Sequence, residues 1–583
     1  MIGVKRKLDT IMNTVREISA IGINRSKRRK FRRDMVWSRR CGAIFIFVGC
    51  MAMAAVGWAQ STGNANPVIS VNPGRMARVG TVDDRFQSYN IEMVEVTGGR
   101  FWKPYGSKAT TAQQVGGNTA NAAIQANTPA GMDPAIYEYR APINLGNERL
   151  RKLAAALGPA YVRVSGTWAN TSYFQGANEA ATMAAPAGFN AVLTRAEWKG
   201  VIDFALATDA KIVTSFAISP GTRDAAGVWK PVQAAALLAY TKQMGGRIAA
   251  AEFMNEPTIP SMGGAPTAYS AADFGRDVAV FKAFAAKAAP EMLLLGPGGV
   301  GEGVGTPLPE RMHPLLTEQL MKAVIAAAGS GAGPVFDAFS YHSYGGVSSR
   351  CSAMRPQLGT TADAALSAEW LGRSDKIEQY YAGLRDTYES GKPIWLTETA
   401  QTACGGDKWA ATFLDSFRYL NQMGDLAKRG VQVHMHNTLA ASDYGLLDEK
   451  TYEPRPNYWA ALLWRKLMGA TVLDAGVTDD VGLYVYAQCL RGRAGGVALL
   501  VINVGRESAR TMEMPMDAER YTLTAATLMD KQVQLNGSDL KLGAGDVLPE
   551  LNGVRTKAGK VVFAPESITF LGIEKAGNAA CGE

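Results

Sequence analysis

NERLRKLAAALGPAYVRVSG, residues 147–166, contains the alternation on which the fold reading rests. Its first half puts Leu150, Leu153, Ala154 and Leu157 three and four residues apart, the spacing of one helix face. Its second half, 160–165, is a short run with strand character. The same alternation recurs in both directions along the chain. Strands are predicted over 86–92, 160–165, 211–218, 248–256, 292–295, 336–344, 393–399 and 431–439. Between them lie helix-like stretches, among them 147–157, 195–207, 232–244, 271–288 and 409–428. Eight strands alternating with helices predict an α/β chain with a (β/α)8 TIM barrel over 81–468. A doubly wound open sheet is the rival, and the count of eight favours the barrel.

After Leu467 the pattern changes. Short runs of period-two character appear at 482–487, 497–504, 521–526 and 561–570, separated by Gly, Asp and Asn. They predict a C-terminal β-sandwich over 469–583. Residues 60–80 are expected to join it through a strand at 68–71. The loop over 97–145 is long, rich in Gly, Asn, Ala and Thr, and in a barrel would sit on the active face.

The formal charge of +9 comes from the leader. Residues 1–59 hold 13 Lys/Arg and three acidic residues. Taking these from totals of 61 and 52 leaves 48 basic against 49 acidic side chains. No basic stripe remains to grip nucleic acid. A basic stretch ending at Arg39-Arg40, an apolar run over 41–59, and small residues at Gly57 and Ala59 read as a secretion signal. Met35 is an alternative start, and the arginine pair suggests twin-arginine export. The location expected is therefore exported, with membrane association only if the leader stays uncleaved. Beyond it stand four cysteines, Cys351, Cys404, Cys489 and Cys581, an even number suited to two disulfides whose pairing the spacing leaves open.

Chemistry is expected at the strand ends. Glu256 closes the fourth predicted strand, in EFMNEP, and Glu398 the seventh, in PIWLTET. The C-terminal ends of strands are where barrel enzymes place their reactive groups. Two such carboxyls suit glycoside hydrolysis with retention, one donating a proton and the other attacking carbon. At the ~5 Å this requires, two charges repel by roughly 3 kcal/mol at an effective dielectric of ~20, enough to raise one pKa by about two units. Asn255 is placed to bond a sugar hydroxyl or cap the strand, and Glu92, ending the first strand, to bind hydroxyls.

At these residues the chain resembles glycoside hydrolase family 79, the heparanase and β-glucuronidase family. The resemblance includes LRKLAAALGPAYVRVSG (150–166), FMNEP (253–257), FDAFSYHSY (336–344), PIWLTET (393–399) and SDYGLLDEKTYEPRPNYWAALLW (442–464). It implies Glu256 as acid/base, Glu398 as nucleophile, His342 and Tyr344 beside the nucleophile, and Thr167 and Tyr444 lining the sugar site. It implies that the backbone amides of Gly405 and Gly406 bind the glucuronate carboxylate. It also implies a disulfide between Cys489 and Cys581. A tyrosine before those glycines in heparanases is replaced by Cys404, with one extra residue in the loop, which leaves Cys404 available to bond Cys351 across two active-face loops. Only an ordinary loop, 171–194, stands where heparanases carry an excised linker, so no activating cleavage is expected.

Other signals are set aside. The GPGGVG run at 296–301 fits a dinucleotide fingerprint, but Pro297 sits in its turn and no helix opens after it, so it reads as a barrel loop. His434 and His436 share a strand face and read as hydrogen-bonding residues rather than metal ligands. Trp102, Trp168, Tyr173 and Phe174 are candidates for stacking on sugars or for local packing. The reading is a retaining hydrolase of glucuronate-containing glycans or glycosides, with no metal or organic cofactor. Its rivals are an arabinofuranosidase-like barrel of the same mechanism and a silent carbohydrate-binding surface protein.

Overall fold

The computed structural model describes residues 68–582 except 107–128, 130–131, 181–183, 306–307, 330, 332 and 478–481. The leader and the middle of the 97–145 loop lie outside the described residues. Eight parallel strands close into a barrel: β1 Gln87–Glu92, β2 Ala160–Ser165, β3 Ala210–Ser215, β4 Ile248–Glu252, β5 Leu293–Gly299, β6 Ala338–Tyr344, β7 Ile394–Ala400 and β8 Val431–His436. Each pairs with its sequence neighbours, and β8 returns to β1 with His434 opposite Gln87. The long helices alternate with them: α1 Glu148–Leu157, α2 Arg195–Ala207, α3 Val232–Gln243, α4 Ala271–Ala288, α5 Thr317–Ala328, α6 Arg373–Tyr388, α7 Phe413–Lys428 and α8 Pro456–Leu467. Local chemistry starts several of them. Asn147 accepts from the Leu150 N–H at the head of α1, and capping boxes open α2 at Thr194 and α4 at Ser270.

The barrel interior is layered by strand alternation. Tyr161, Val213, Ala250, Leu295, Ala338, Trp395 and Val433 form an apolar floor. Two residues further along their strands, Arg163, Glu252, Ser340 and Thr397 form a polar layer whose side chains converge on the Glu252 carboxylate. The reactive cleft opens above it.

The strand bounds differ from expectation where function intrudes. β4 ends at Glu252 rather than Glu256, because Asn170 takes over the backbone. Its Oδ1 accepts from the Asn255 N–H at 2.9 Å and its Nδ2 donates to the Asn255 carbonyl at 3.0 Å, replacing ladder bonds. The GPGG segment is no loop. It forms the end of β5, with a register shift between Pro297 and Gly299 because proline has no N–H for the ladder.

After the barrel come β9 Met468–Leu473, β10 Leu483–Leu490, β11 Val497–Asn503, β12 Arg510–Met514, β13 Ala518–Thr524, β14 Gly559–Phe563 and β15 Ser567–Ile573. The run at 561–570 is thus two strands, broken at Pro565 and at Glu566, whose φ is +49°. β9, β10, β11, β15 and β13 lie in one antiparallel sheet, while β12 and β14 belong to a second. Strand Ile69–Ser70 adds to β12 and Arg78–Thr81 to β9. The central strands are buried on both faces. One set of alternating residues, including Leu483, Val485, Leu499 and Val501, packs with Met512 and Phe563 of the second sheet. The other, including Tyr484, Tyr486, Leu500 and Phe570, joins the core shared with α7 and α8. Cys489 is bonded to Cys581, and Cys351 to Cys404.

Candidate active site

Glu256 and Glu398 come from elements 142 positions apart in sequence and meet across the mouth of the barrel. With His342 they form a group whose nearest nitrogen and oxygen atoms lie within 4.8 Å of one another. Among the described residues this is the one group of three such side chains close enough to share an ion, and His434 and His436 do not join it.

Each carboxylate reaches this place by an irregularity. Strict alternation would turn Glu398 away from Thr397, which faces the barrel interior. A register shift in β7 skips Thr397 and pairs His342 with Glu398, so both point inward. Glu256 follows β4 by four residues and has φ +48°, a conformation uncommon outside glycine and frequent where a site constrains the chain.

Their surroundings differ. Glu398 accepts from Arg163 Nη1 at 2.8 Å through Oε2 and from the Tyr344 hydroxyl at 2.7 Å through Oε1. Burial holds the Tyr344 pKa well above its usual value, with the Glu398 charge adding to it, so the phenol keeps its proton and donates. Glu256 has His342 Nδ1 at 3.1 Å. Burial raises the Glu256 pKa, and the Glu398 charge adds to the rise against the influence of His342. Burial favours the neutral acid there, while a guanidinium charge sits on the opposing carboxylate.

Arg163 is held by the polar layer. Its Nη2 donates to Glu252 Oε2 and to Asn255 Oδ1, each at 2.8 Å. Glu252 accepts in addition from Ser340 and Thr397. Burial alone would raise the pKa of Glu252, but Arg163 and its hydrogen-bond donors outweigh that and hold it well below the usual carboxylate range.

The cleft encloses about 1050 Å³, open solvent at its mouth included. Glu92, Thr167, His342, Tyr344 and Tyr444 all line it. Glu92 Oε1 accepts from Asn437 Nδ2 at 2.9 Å, and Asn437 also reaches the Tyr344 and Tyr444 hydroxyls. Burial, and then the Glu398 charge, raises the Glu92 pKa well above normal. Gly166 makes room for it. Its φ is +90°, and a Cβ there would occupy the position of Glu92 Oε2.

Other expected residues are placed differently. Asn255 faces Arg163 and is not among the cleft-lining residues. Gly405 and Gly406 are buried next to Ala403 and Cys404, which line the cleft, and the Gly406 N–H donates to the Thr402 carbonyl. Trp102 and Trp168 line the cleft, whereas Tyr173 packs on Phe189 and Phe174 on Tyr240. Buried His434 pairs with Gln422 and His436 with the Tyr444 carbonyl. Arg163, Glu252, Asn170 and Asn437 were missed. The first two had a signal, a charge at an inward position of an otherwise apolar strand. Asn170 and Asn437 had none.

Fold and site together define a glycoside hydrolase built on a TIM barrel. No protein-family model matches the chain. It is 27% identical over 405 residues to heparanase-like protein 1 of Arabidopsis thaliana, covering 61% of this chain and 68% of that one. It is 32% identical over 229 residues to the baicalin-β-D-glucuronidase of Scutellaria baicalensis, covering 37% of this chain and 43% of that enzyme. These likenesses bear out the resemblance to glycoside hydrolase family 79. A 4-O-α-L-rhamnosyl-β-D-glucuronidase structure from Fusarium oxysporum 12S superposes with a TM-score of 0.54 at 12% identity, over 87% of this chain and 99% of that one, which speaks to the fold alone.

Proposed function

We propose that this protein is an exported hydrolase that cleaves β-D-glucuronosyl linkages with retention of configuration. Glu398 attacks C1 as Glu256 passes its proton to the departing glycosidic oxygen, giving a glycosyl ester on Glu398. A water molecule then loses a proton to Glu256 and attacks C1, releasing the sugar in its original anomeric form and restoring both carboxyls. The observation that carries this reading is the Glu256–Glu398 pair, with oxygens within 4.8 Å. Inverting enzymes need about 6.5–9.5 Å between carboxyls to admit a water, and retaining ones about 5–5.5 Å.

Glucuronide as substrate rests on the names of the relatives, a glucuronidase and a heparanase-like protein. Tyr444, Asn437 and Glu92 supply hydroxyl, amide and carboxyl groups to the sugar end of the cleft. Export is supported by the two disulfides, which suit an oxidising compartment. Among the described residues no helix is long and apolar enough to cross a membrane. We assign catalysis to 81–468 and a supporting role to 469–583.

The test is hydrolysis of an aryl β-glucuronide followed by NMR from the first turnover. The β-anomer of free glucuronate is expected to appear first. Initial α-anomer would overturn retention. Equal rates on the glucoside, in which the carboxylate is reduced to an alcohol, would overturn the sugar assignment.

A further inference from the structure

The cleft has two unlike halves, and barrel order separates them. After β8, β1 and β2, which are contiguous in the closed sheet, the lining carries the polar groups of Asn437, Tyr444, Glu92 and Thr167 beside the rings of Trp102 and Trp168. After β4, β5 and β6, also contiguous, it is apolar, with Ile259, Met262, Val300, Leu308, Met312 and Met354. Glu256 belongs to the β4 side. A general acid must lie within hydrogen-bond reach of the oxygen it protonates, so the departing group leaves along this apolar half.

Charge in that half is unfavourable to an anionic chain. Among the described lining residues there is no lysine, and Arg355 is the only arginine. Its guanidinium donates to the Gly301 carbonyl at 2.9 Å and the Val304 carbonyl at 3.1 Å, so it ties down the β5 loop. Glu302 brings a carboxyl to the same wall, accepting from Thr317 and from the Tyr380 hydroxyl. Sulfated or carboxylated polymers are gripped by arginine forks and lysine ammonium groups, which this wall does not offer.

The wall is fixed by packing at its β6 edge. Val347, Cys351 and Leu358 form a small core of their own, packed by Val304, Met354 and Cys404, and the Cys351–Cys404 bond ties the β6 loop to the β7 loop behind it. Such a surface gains by taking apolar area out of water and has few groups to replace the hydration of a charge.

We propose that the leaving-group half of the cleft is built for an uncharged apolar aglycone, so that the substrate is a glucuronide of a hydrophobic phenol or alcohol rather than a segment of an acidic polysaccharide. This rests on the glucuronidase reading above and adds the class of the other half of the substrate.

The experiment uses the full-length protein and para-substituted phenyl β-glucuronides of matched leaving-group acidity, one extended by a phenyl ring and one by a sulfonatomethyl group. A glucuronate-terminated acidic oligosaccharide and β-glucuronosyl fluoride complete the set. The phenyl-extended substrate is expected to exceed the sulfonated one in kcat/KM by at least tenfold, and to exceed the oligosaccharide by more. Met262→Lys and Leu308→Lys should each lower kcat/KM for the phenyl-extended substrate at least tenfold more than for the fluoride, whose leaving group does not reach the wall. The loss should appear chiefly in KM. A preference for the sulfonated substrate or the oligosaccharide, or equal losses on both substrates in the lysine variants, would overturn the inference and leave the glucuronidase reading standing. No turnover of any glucuronide, the fluoride included, would overturn both.

Discussion

In the proposed mechanism Glu256 and Glu398 have similar side chains and opposite tasks, and the difference between them lies in their neighbours. Arg163 and Tyr344 both donate to Glu398, whereas Glu256 is buried beside His342 and feels the Glu398 charge. Glu398→Gln keeps the shape and removes the nucleophile, so turnover should fall by at least ~10³-fold on every glucuronide in steady-state assays. Glu256→Gln should retain the first step only for substrates whose leaving group needs no proton, seen as a burst of phenol from an acidic aryl glucuronide. The pH dependence follows from the raised Glu256 pKa. The acid must be protonated to donate, so kcat/KM should fall as pH rises through that pKa. In Glu398→Gln the neighbouring negative charge is gone and Glu256 should titrate at lower pH, measurable by carbon NMR on labelled glutamate. An unchanged or higher value would contradict the electrostatic coupling. Sequence reasoning found both glutamates because each follows an apolar strand. It did not show that the Asn255 side-chain oxygen accepts from Arg163, a contact that depends on the irregular backbone before Glu256.

At the scale of elements, α7 and α8 are unusual for the outer ring of a barrel. Of the 16 residues of α7, 14 are buried, including Asp415, Arg418, Asn421 and Gln422. The cause is the sheet whose strands β9, β10 and β11 lie across its outer side. Buried polar groups there are paired. Arg418 bonds Asp415 at 2.7 Å, and Asn421 accepts from the Tyr486 hydroxyl at 2.8 Å. Gly424 allows the close approach, since a Cβ there would lie 2.3 Å from the Tyr486 ring. Gly424→Ala should gain about 1 kcal/mol of helix propensity and lose about 1–3 by overpacking, a net cost of up to about 2 kcal/mol in urea unfolding. A neutral or stabilising result would show that Tyr486 can move aside. The helical spacing of α7 was legible in sequence, but its all-round burial was not, because hydrogen-bonded polar residues on a helix read as a solvent-facing side.

For the whole molecule, barrel and sandwich share one continuous core in which Trp459, Leu463 and Met423 are grouped with Tyr484, Leu500 and Phe570. A chain ending after Leu467 would expose the outer faces of α7 and α8, uncovering apolar side chains of the shared core and the polar groups paired beneath the sheet. Such a truncation should give insoluble or unfolded protein rather than an active barrel, judged by solubility and circular dichroism. A soluble, active 1–467 fragment would show that the two parts are independent.

Sequence by itself determined the class of fold, because a hydrophobic period of 3.6 alternating with short apolar runs has few closed solutions, and eight such units close as a barrel. It also picked out the two carboxyls that meet in the cleft, because carboxyls that end apolar strands have no packing reason to be there. Tertiary structure alone decided what makes the pair work. The register shift that turns Glu398 inward, the Asn170 clamp that frees Glu256 from its strand, and the Glu252–Arg163 layer beneath them all depend on strands distant in the chain. Side-chain period and local propensity report on near neighbours, while a charge layer in a closed barrel exists only once its strands have met.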